Sequence, residues 1–252
     1  GIGGWNNKDV VLLKADGKGE MVNLTESGYS DSNAKWVLGG KAMIWNSDRA
    51  GYRSHGSWGA QYDAYIMFFD VDAYDRFRMN KEDLALLEEA EKAEKAEKEK
   101  AEKKKKEDKK GDKKKDAKGK KDGEAEKKEE VKPLKLDLDN RFDSIVRLTV
   151  NSSFMGDAVL TPKGDKLYYL AAFESGYDLW EHDLKENSTK ILLKGVGGGS
   201  LLPDKKGENI FMCTGGGMKK IEIAGSKTTP IAFESFFDYQ PGGERAYIFD
   251  HV

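Results

Sequence analysis

The stretch RSHGSWG, residues 53–59, holds the side chains best suited to chemistry, a serine next to a histidine. A nucleophilic serine needs a base that reaches its hydroxyl, and adjacent residues point in different directions. Ser54 and His55 therefore do not form a nucleophile–base pair by themselves, and no G-x-S-x-G elbow occurs in the chain. Two interpretations stay open. Either the loop packs its Trp58 on nearby strands, or Arg53, His55 and Trp58 contact a peptide or a neighbouring domain.

Two other stretches match ligand-binding loops only in part. LDLDN, residues 136–140, begins like a calcium loop, but Arg141 stands where the third ligand should be and no glycine follows at the sixth place. Alternating Leu and Asp is typical of a strand instead. GVGGGS, residues 195–200, is rich in glycine but leads to Pro203 and a strand, whereas a phosphate loop leads into a helix. We therefore expect neither calcium nor a nucleotide.

The three histidines and the single cysteine, Cys213, are spread along the sequence. His182 falls at the edge of a predicted strand. His251 lies on a predicted terminal helix, where we expect it to pack against other parts of the protein. A zinc site needs three or four such side chains brought together, so we expect no metal ion and no cofactor. One cysteine also excludes a disulfide within the chain and suits a reducing compartment.

Charge is concentrated in one segment of the chain. Residues 88–132 contain 19 lysines and 16 acidic residues, whereas the remaining 207 residues carry a net charge of −5. That remainder lacks the basic surface that nucleic acids require, and the mixed signs of the segment do not make a one-sided polybasic tail. No apolar run approaches the roughly 20 residues of a membrane span. The composition argues against nucleic-acid partners and against a membrane span.

Short strands with alternating polarity are predicted along most of the remaining sequence. An Asp16-Gly17 turn indicates a hairpin within residues 9–25. Further strands are predicted within residues 31–72, 156–195 and 200–233. These elements must position any functional side chain, and they make the chain all-β.

Three of these stretches repeat one layout of strand, turn, glycine and strand: KWVLGGKAMIWNSDRAG, AVLTPKGDKLYYLAAFESG and SLLPDKKGENIFMCTGGG. The shared glycines are Gly40, Gly164 and Gly207. The last two are 43 residues apart, which matches the period of a four-stranded propeller blade, roughly 40–45 residues. The first two are 124 residues apart, which is one period plus 81 extra residues. The repeats predict a partial β-propeller of about three and a half four-stranded antiparallel blades.

The charged segment is predicted to interrupt the first complete blade. It leaves after the strand DAYIMFF and returns before DSIVRLT, residues 143–149, which supplies the fourth strand. Asn80 and Asp83 form a capping-box pattern at the start of a helix, and Glu-to-Lys pairs four residues apart follow it. No side chain larger than alanine is apolar between Leu87 and Val131, so this helix has no face to bury. We expect a solvated spacer, helical at first and disordered after Gly111; an arm that binds a partner is the alternative.

The resulting domain prediction has four parts. Residues 1–79 form a partial blade and the start of the interrupted blade, and residues 80–133 form the charged insertion. Residues 134–240 complete the propeller blades, and residues 241–252 begin a helix. Propellers close with about four to eight blades, so three and a half blades would make an open arc. We expect further blades upstream in the parent protein, and self-association of this chain through its N-terminal blade, because open edges invite pairing.

The repeats resemble the TolB/WD40-like propeller repeat, whose core reads W-S-P-D-G-K, then a strand, then S-x-R-x-G. The positions that match it are Trp36, Gly40, Lys41, Ser47, Arg49 and Gly51 in the first repeat, Pro162 and Gly164 in the second, and Pro203 and Asp204 in the third. This repeat by itself indicates a fold and no function.

A narrower resemblance covers most of the chain. NLTESGYSDSNAKW, SDRAGYRSHGSWG, DAYDRFRMNKEDL, LDLDNRFDSIVRLT and GDKLYYLAAFESGYDLW resemble the propeller portion of bacterial tricorn-type serine peptidases, which are grouped with C-terminal processing proteases. A Lys/Glu-rich insertion at this place is also familiar in those proteins. The final GGERAYIFDHV is similar to the start of the helical segment after the propeller.

The resemblance implies a noncatalytic propeller that guides peptides to or from an active site located downstream. Its implied partners are peptides and the catalytic and PDZ domains of the parent chain, and self-association into a homo-oligomer is also expected. No position matches the catalytic motifs of the family, so no catalytic residue is assigned. The alternatives are a stand-alone TolB-like binding propeller and the lid propeller of a prolyl-oligopeptidase-type enzyme. The expected compartment is the cytoplasm, with the bacterial periplasm as the alternative.

Overall fold

The computed structural model describes residues 7–54, 59–110, 136–215, 217–225, 227–234, 236 and 238–251. The strands are β1 Val11–Leu12, β2 Val22–Asn23, β3 Asp31–Val37, β4 Ala42–Ser47, β5 Asp63–Phe68, β6 Ile145–Arg147, β7 Phe154–Leu160, β8 Lys166–Ala172, β9 Asp178–Asp183, β10 Ser188–Leu193, β11 Gly199–Pro203, β12 Asn209–Thr214, β13 Gly217–Glu222 and β14 Lys227–Ile231. The helices are α1 Val71–Arg78, α2 Lys81–Lys110 and α3 Pro241–His251.

Three antiparallel four-stranded sheets follow one another along the chain. Strands β3–β6 form the first blade, β7–β10 the second and β11–β14 the third, each with its strands paired in sequence order. The short hairpin β1–β2 precedes them. The predicted partial β-propeller is confirmed, and so is the fourth strand of the first blade, because β5 pairs with β6 across the insertion.

The register of the strands makes the blades equivalent position by position. One set of facing side chains lies on the side of each blade that points to the following blade. The set is Lys35, Ile44 and Ile66 in the first blade, Val159, Tyr168 and Glu181 in the second, and Leu202, Phe211 and Lys220 in the third. The shared glycines Gly40, Gly164 and Gly207 keep the same offsets as these positions.

Apolar side chains fill the spaces between consecutive sheets. The space between the first two blades holds Ile44, Ile66, Phe68, Leu160, Leu167 and Tyr169. The space between the second and third blades holds Val159, Tyr168, Leu170, Leu201, Ile210 and Met212. Trp45, Met67 and Phe69 on the other side of the first blade pack with the β1–β2 hairpin. The first and second sheets therefore contribute apolar side chains to a core on both of their faces, and the third sheet does so on the face towards the second blade.

The innermost strands of the three blades are tied together by polar groups. Asn33 on β3 donates a hydrogen bond to the carbonyl of Gly156 on β7, at 3.2 Å. The equivalent residue of the second blade, Asp157, accepts a hydrogen bond from the backbone N–H of Leu201 on β11, at 2.7 Å. Lys35 places its ammonium 2.6 Å from both carboxylate oxygens of Asp157 and 3.2 Å from the carbonyl of Leu201. A single lysine thus contacts all three blades.

The turns between the first and second strands of consecutive blades touch one another. Gly164, with φ +74°, lies so close to Leu38 of the preceding blade that an added Cβ would be 3.1 Å from its Cδ2 atom. Gly207, with φ +72°, would bring a Cβ to 2.6 Å from Cδ of Pro162. Glycine is required at these turns both for the left-handed backbone and for the close approach.

Helix α1 was not predicted from the sequence, which suggested a strand continuing to Asp72. The strand ends at Phe68, and the Asp70 carboxylate caps the new helix by accepting a hydrogen bond from the N–H of Ala73, at 2.8 Å. Phe77 and Tyr74 of α1 then pack on Phe68, with ring centroids 5.0 and 5.3 Å away. Burial of this aromatic contact favours the helix over a longer strand.

The base of α2 is tied to neighbouring residues by polar contacts, while the expectation of a solvated spacer beyond Leu87 stays a prediction. The predicted cap is confirmed, since the Asn80 side chain accepts from the N–H of Asp83 at 2.8 Å and donates to its carboxylate at 2.9 Å. Glu91 of α2 pairs with Arg76 of α1 at 2.6 Å. The part of the insertion beyond Lys110, up to residue 135, lies outside the described residues.

Candidate functional site

The loop between β4 and β5 carries the residues singled out as contact candidates. Of these, Arg53 is described, whereas His55 and Trp58 lie outside the described residues. This loop joins the second and third strands of its blade. In an up-and-down sheet it therefore lies at the opposite end from the turns that join first to second and third to fourth strands, which include the insertion.

Three arginine–aspartate pairs surround the beginning and the end of this loop. The pairs are Asp31 with Arg49, Asp48 with Arg53, and Asp63 with Arg147. We call them the Arg–Asp cluster. The three carboxylates are almost completely buried, at 2%, 0% and 0% exposure, so each needs a positive or hydrogen-bonding partner to remain charged.

Arg49 forms the innermost pair and contacts several rings. Its guanidinium lies over the rings of Tyr65 and Trp45, at 4.9 and 5.5 Å from their centroids, and 3.6 Å from an oxygen of Asp31. The indole N–H of Trp45 donates to the same oxygen of Asp31, at 3.1 Å. Cation–π contact and hydrogen bonding hold Arg49 in one orientation.

Arg53 forms the pair nearest to the solvent-facing part of the loop. Its Nε lies 3.0 Å from Oδ2 of Asp48, and its guanidinium lies over the ring of Tyr29 at 5.0 Å. The other oxygen of Asp48 accepts a hydrogen bond from the N–H of Ser30, at 2.9 Å. About a third of the Arg53 side chain, 32%, remains exposed. The arginine is therefore anchored at its Nε side while part of the group faces water.

Asp63 at the start of β5 and Arg147 at the end of β6 form the third pair of the cluster. Asp63 accepts hydrogen bonds from Arg147 at 2.7 Å, from the hydroxyl of Thr149 at 2.7 Å and from the hydroxyl of Ser152 at 2.8 Å. The nearby side chain of Tyr65 is buried, with 6% of it exposed. Burial, and next the charge of Asp63, raise the pKa of Tyr65, so this phenol stays neutral and can donate a hydrogen bond.

Two buried atoms of the cluster make no hydrogen bond among the described residues, namely Oδ2 of Asp48 and Nη2 of Arg49. Each lies within ion-pair distance of its partner, so the charges are balanced while hydrogen-bonding capacity is left over. Buried groups of this kind are uncommon in folded proteins. Both atoms are shielded from solvent, so the unused hydrogen-bonding capacity lies inside the protein rather than at its surface.

The sequence indicated only part of this cluster. Ser47, Arg49 and Gly51 matched a repeat motif, and Arg53 was a candidate from its loop. The role of Asp31, Asp48 and Asp63 was missed. The run S-D-R at residues 47–49 is a signal that could have pointed to Asp48, but Asp63 and Arg147 are 84 residues apart and meet only through the pairing of β5 with β6.

His182 is placed differently from its prediction, whereas His251 lies on the terminal helix α3 as predicted. His182 lies on β9, which pairs on both sides, and is buried rather than at a strand edge, with Nδ1 2.8 Å from the hydroxyl of Thr189. Burial lowers the pKa of His182, so it stays neutral near pH 7. His251 stacks on Tyr247 of its own helix, at 4.0 Å between ring centroids.

The candidate ligand loops also have structural partners. Asp137 accepts hydrogen bonds from the backbone and the side chain of Asn140, which hold its pKa below the usual value. Residues 195–198 precede β11, as predicted for a glycine-rich turn before a strand. Within the described part of the chain, no three His, Cys, Asp or Glu side chains come close enough to hold a metal ion.

No helix in the described ranges has the length and apolarity needed to cross a membrane.

Comparison with known proteins shows the fold and not a family. No protein-family model and no curated protein matches this sequence. Among solved structures, TolB from Acinetobacter baumannii is 8% identical with a TM-score of 0.48, covering 89% of this chain and 37% of that chain. The tricorn protease is 7% identical with a TM-score of 0.51, covering 89% of this chain and 19% of that chain. The chain thus spans well under half of either protein, and the likeness to tricorn protease shows a propeller fold alone.

Proposed function

We propose that this chain is a noncatalytic β-propeller portion of a tricorn-like serine peptidase that degrades oligopeptides, and that it guides substrate or product to and from an active site located downstream. Support comes from the propeller fold and from the sequence stretches that resemble tricorn-type propellers. The partners proposed are peptides and the catalytic and PDZ domains of the same protein.

The Arg–Asp cluster is the observation that carries this proposal. Peptides present carbonyl oxygens along their length and a carboxylate at one end, and guanidinium groups bind both. Arg53 and Arg147 are held in place by buried aspartates but keep 32% and 36% of their side chains exposed. An arginine fixed in this way loses little side-chain entropy on binding, so it favours peptide contact at this end of the propeller.

Binding of labelled peptides tests the proposal directly. We expect fluorescein-labelled hexapeptides with a free C-terminal carboxylate to bind the chain, and Arg53→Gln to weaken that binding by about tenfold, as expected for one lost charge-assisted hydrogen bond of about 1.4 kcal/mol. Arg78→Gln is the matched control, since Arg78 stacks on Tyr74 of α1 at the other end of the blades. Equal affinities of the Arg53→Gln and Arg78→Gln variants would exclude the loop as a peptide contact.

A second experiment concerns hydrolysis. The chain alone is expected to hydrolyse no peptide, because the proposed active site lies elsewhere in the protein. Fluorogenic peptides incubated with purified chain should show the blank rate. Turnover that survives Ser54→Ala and His55→Ala would reveal an active site within this chain and overturn the noncatalytic assignment. Binding of folded proteins without binding of peptides would favour the stand-alone, TolB-like binding propeller instead.

A further inference from the structure

An open cleft lies between the insertion helices and the blades, at the opposite end from the Arg–Asp cluster. One wall is α1 with the first turns of α2, up to Glu91. The other wall consists of the β3–β4 turn, the β7–β8 turn at residues 162–165 and the β9–β10 turn at residues 183–186. We call it the helix cleft. Its free volume is about 980 Å³, at the upper end of the roughly 300–1,000 Å³ of sites that bind small ligands.

Direct contacts fix the two walls of the helix cleft relative to each other. Lys185 of the second blade donates hydrogen bonds to the last carbonyls of α1, those of Phe77 at 2.6 Å and Met79 at 2.9 Å. Lys81 at the start of α2 pairs with Glu186 of the same turn, at 2.5 Å. These contacts fix the helices against the second blade, so the cleft exists before any ligand arrives and a ligand need not open it.

The floor of the helix cleft is apolar. Leu38, Phe77, Leu84 and Leu87 line it and are only half-buried. Leu84 and Leu87 come from one turn of α2, on the side that faces the blades. Covering apolar side chains that are partly exposed in this way is favourable, because it removes apolar surface from water. The floor therefore favours a ligand with apolar side chains.

The rim of the helix cleft is acidic. Seven acidic and five basic side chains line it, which leaves a net charge of −2. The basic ones Arg76 and Lys81 are paired with glutamates, and Lys185 is held by two carbonyls. Asp72 and Asp75, on one exposed face of α1, make no ion pair among the described residues. The charge left over is negative and lies beside the apolar floor.

We propose that the helix cleft binds a short cationic peptide segment, whose lysine or arginine side chains pair with Asp72 and Asp75 while its apolar side chains cover Phe77, Leu84 and Leu87. Alternating basic and apolar residues in an extended segment fit both surfaces, because successive side chains point to opposite sides. This site is separate from the Arg–Asp cluster, and the inference does not rest on the proposed function.

Fluorescence anisotropy with two labelled hexapeptides of equal length tests the inference in the full chain. One alternates lysine with leucine, and the other alternates glutamate with leucine. We expect the lysine peptide to bind, the glutamate peptide to bind at least tenfold more weakly, and the affinity for the lysine peptide to fall as salt is raised. The double variant Asp72→Asn/Asp75→Asn should weaken binding of the lysine peptide by about tenfold.

Three further variants keep the test independent of folding and of net charge. Glu82→Gln/Glu89→Gln removes two acidic groups from the exposed side of α2, outside the cleft, and should leave binding unchanged. Ala85→Trp, at an exposed position that lines the cleft, should obstruct the wall formed by α2 and weaken binding while circular dichroism stays the same. Arg53→Gln should have no effect here. Equal affinity of the lysine peptide for all of these variants, or equal binding of the glutamate peptide, would overturn the inference.

Discussion

The second and third blades present the same face to very different surroundings. Val159 and Tyr168 of the second blade are 2% and 1% exposed, because the third blade covers them. The equivalent residues of the third blade, Leu202 and Phe211, are 61% and 39% exposed. The two faces have the same strand register and similar apolar residues. The difference shows that a blade's sequence prepares an apolar face, and that a neighbouring layer then determines how much this face stabilises the fold.

Replacing the aromatic residue of each face with alanine should give the largest difference between the two blades in the free energy of unfolding. Tyr168→Ala removes a buried ring and its hydrogen bond to Glu181, at 2.9 Å, and should lower the free energy of unfolding by about 3–5 kcal/mol. Phe211→Ala should cost about 1 kcal/mol, because its ring is already partly in water. Urea unfolding followed by tryptophan fluorescence measures both. Equal losses would mean that the face of the third blade is covered in solution.

Removing the inner-strand lysine should have the next largest effect. Lys35→Met leaves the Asp157 carboxylate, 5% exposed, without its cation and should cost about 2–3 kcal/mol, less than for a fully buried pair because 28% of the Lys35 side chain is exposed. Lys220→Met on the open face is the control, and it should change the free energy of unfolding by less than about 0.5 kcal/mol. Adding Asp157→Asn to Lys35→Met should restore part of the loss. No restoration would contradict the ion-pair explanation.

The buried Glu181 on the covered face should make the free energy of unfolding depend on pH. Burial by itself raises the pKa of Glu181, but hydrogen bonds from Lys166, Tyr168 and Lys190 outweigh it and hold the pKa below its usual value of 4.5. A carboxyl whose pKa is lowered on folding stabilises the fold above that value and loses this contribution as pH falls through the folded-state pKa. Glu181→Gln should therefore cost about 2 kcal/mol at pH 7 and less than that at pH 3. Thermal melts at both pH values measure the difference, and a constant cost would contradict the assignment.

The smallest expected effect concerns a single apolar residue of each face. Leu202→Thr should change the free energy of unfolding by less than about 0.5 kcal/mol, since the side chain is mostly in water and threonine suits a strand. Val159→Thr, at the equivalent covered position, places a hydroxyl in the core and should cost about 1–2 kcal/mol. The pair is compared by urea unfolding under identical conditions. A larger loss in the free energy of unfolding for Leu202→Thr than for Val159→Thr would contradict the assignment of an exposed face to the third blade and a covered face to the second.

The sequence predicted the parts of this fold that depend on local patterns. Alternating strands, the turn glycines Gly164 and Gly207 and the cap formed by Asn80 with Asp83 are all short-range signals, and the structure confirms them. Helix α1 was missed because the apolar residues before it continue the pattern of β5, and only the cap at Asp70 marks the change. Contact with Phe68 of the blade decides its conformation, and that contact is not visible in a local pattern.

The candidate site was predicted less completely than the fold. Arg53 was identified from its loop, but the carboxylates that hold Arg49, Arg53 and Arg147 were not. The run at residues 47–49 could have indicated Asp48, but Asp63 and Arg147 meet only through strands that come together across 84 residues, so no window of neighbouring residues reveals that pair. The contact of α1 with the second blade was missed for the same reason, since Lys185 of that blade reaches the end of α1 from more than 100 residues away.

The contact between the turns that join first and second strands in consecutive blades restricts where residues can be inserted into this chain. Gly164 and Gly207 each press against a side chain of the blade before, so an added residue there would collide with a neighbour. The connection between the third and fourth strands has no such obstacle, because it lies at the outer rim of its blade. The whole charged segment is inserted there in the first blade, while β9–β10 and β13–β14 keep short turns. The β9–β10 turn already carries the contacts of Lys185 and Glu186 with the insertion helices. The β13–β14 turn is thus the position where an epitope, a fluorescent protein or a second binding module could be grafted without disturbing the packing between blades.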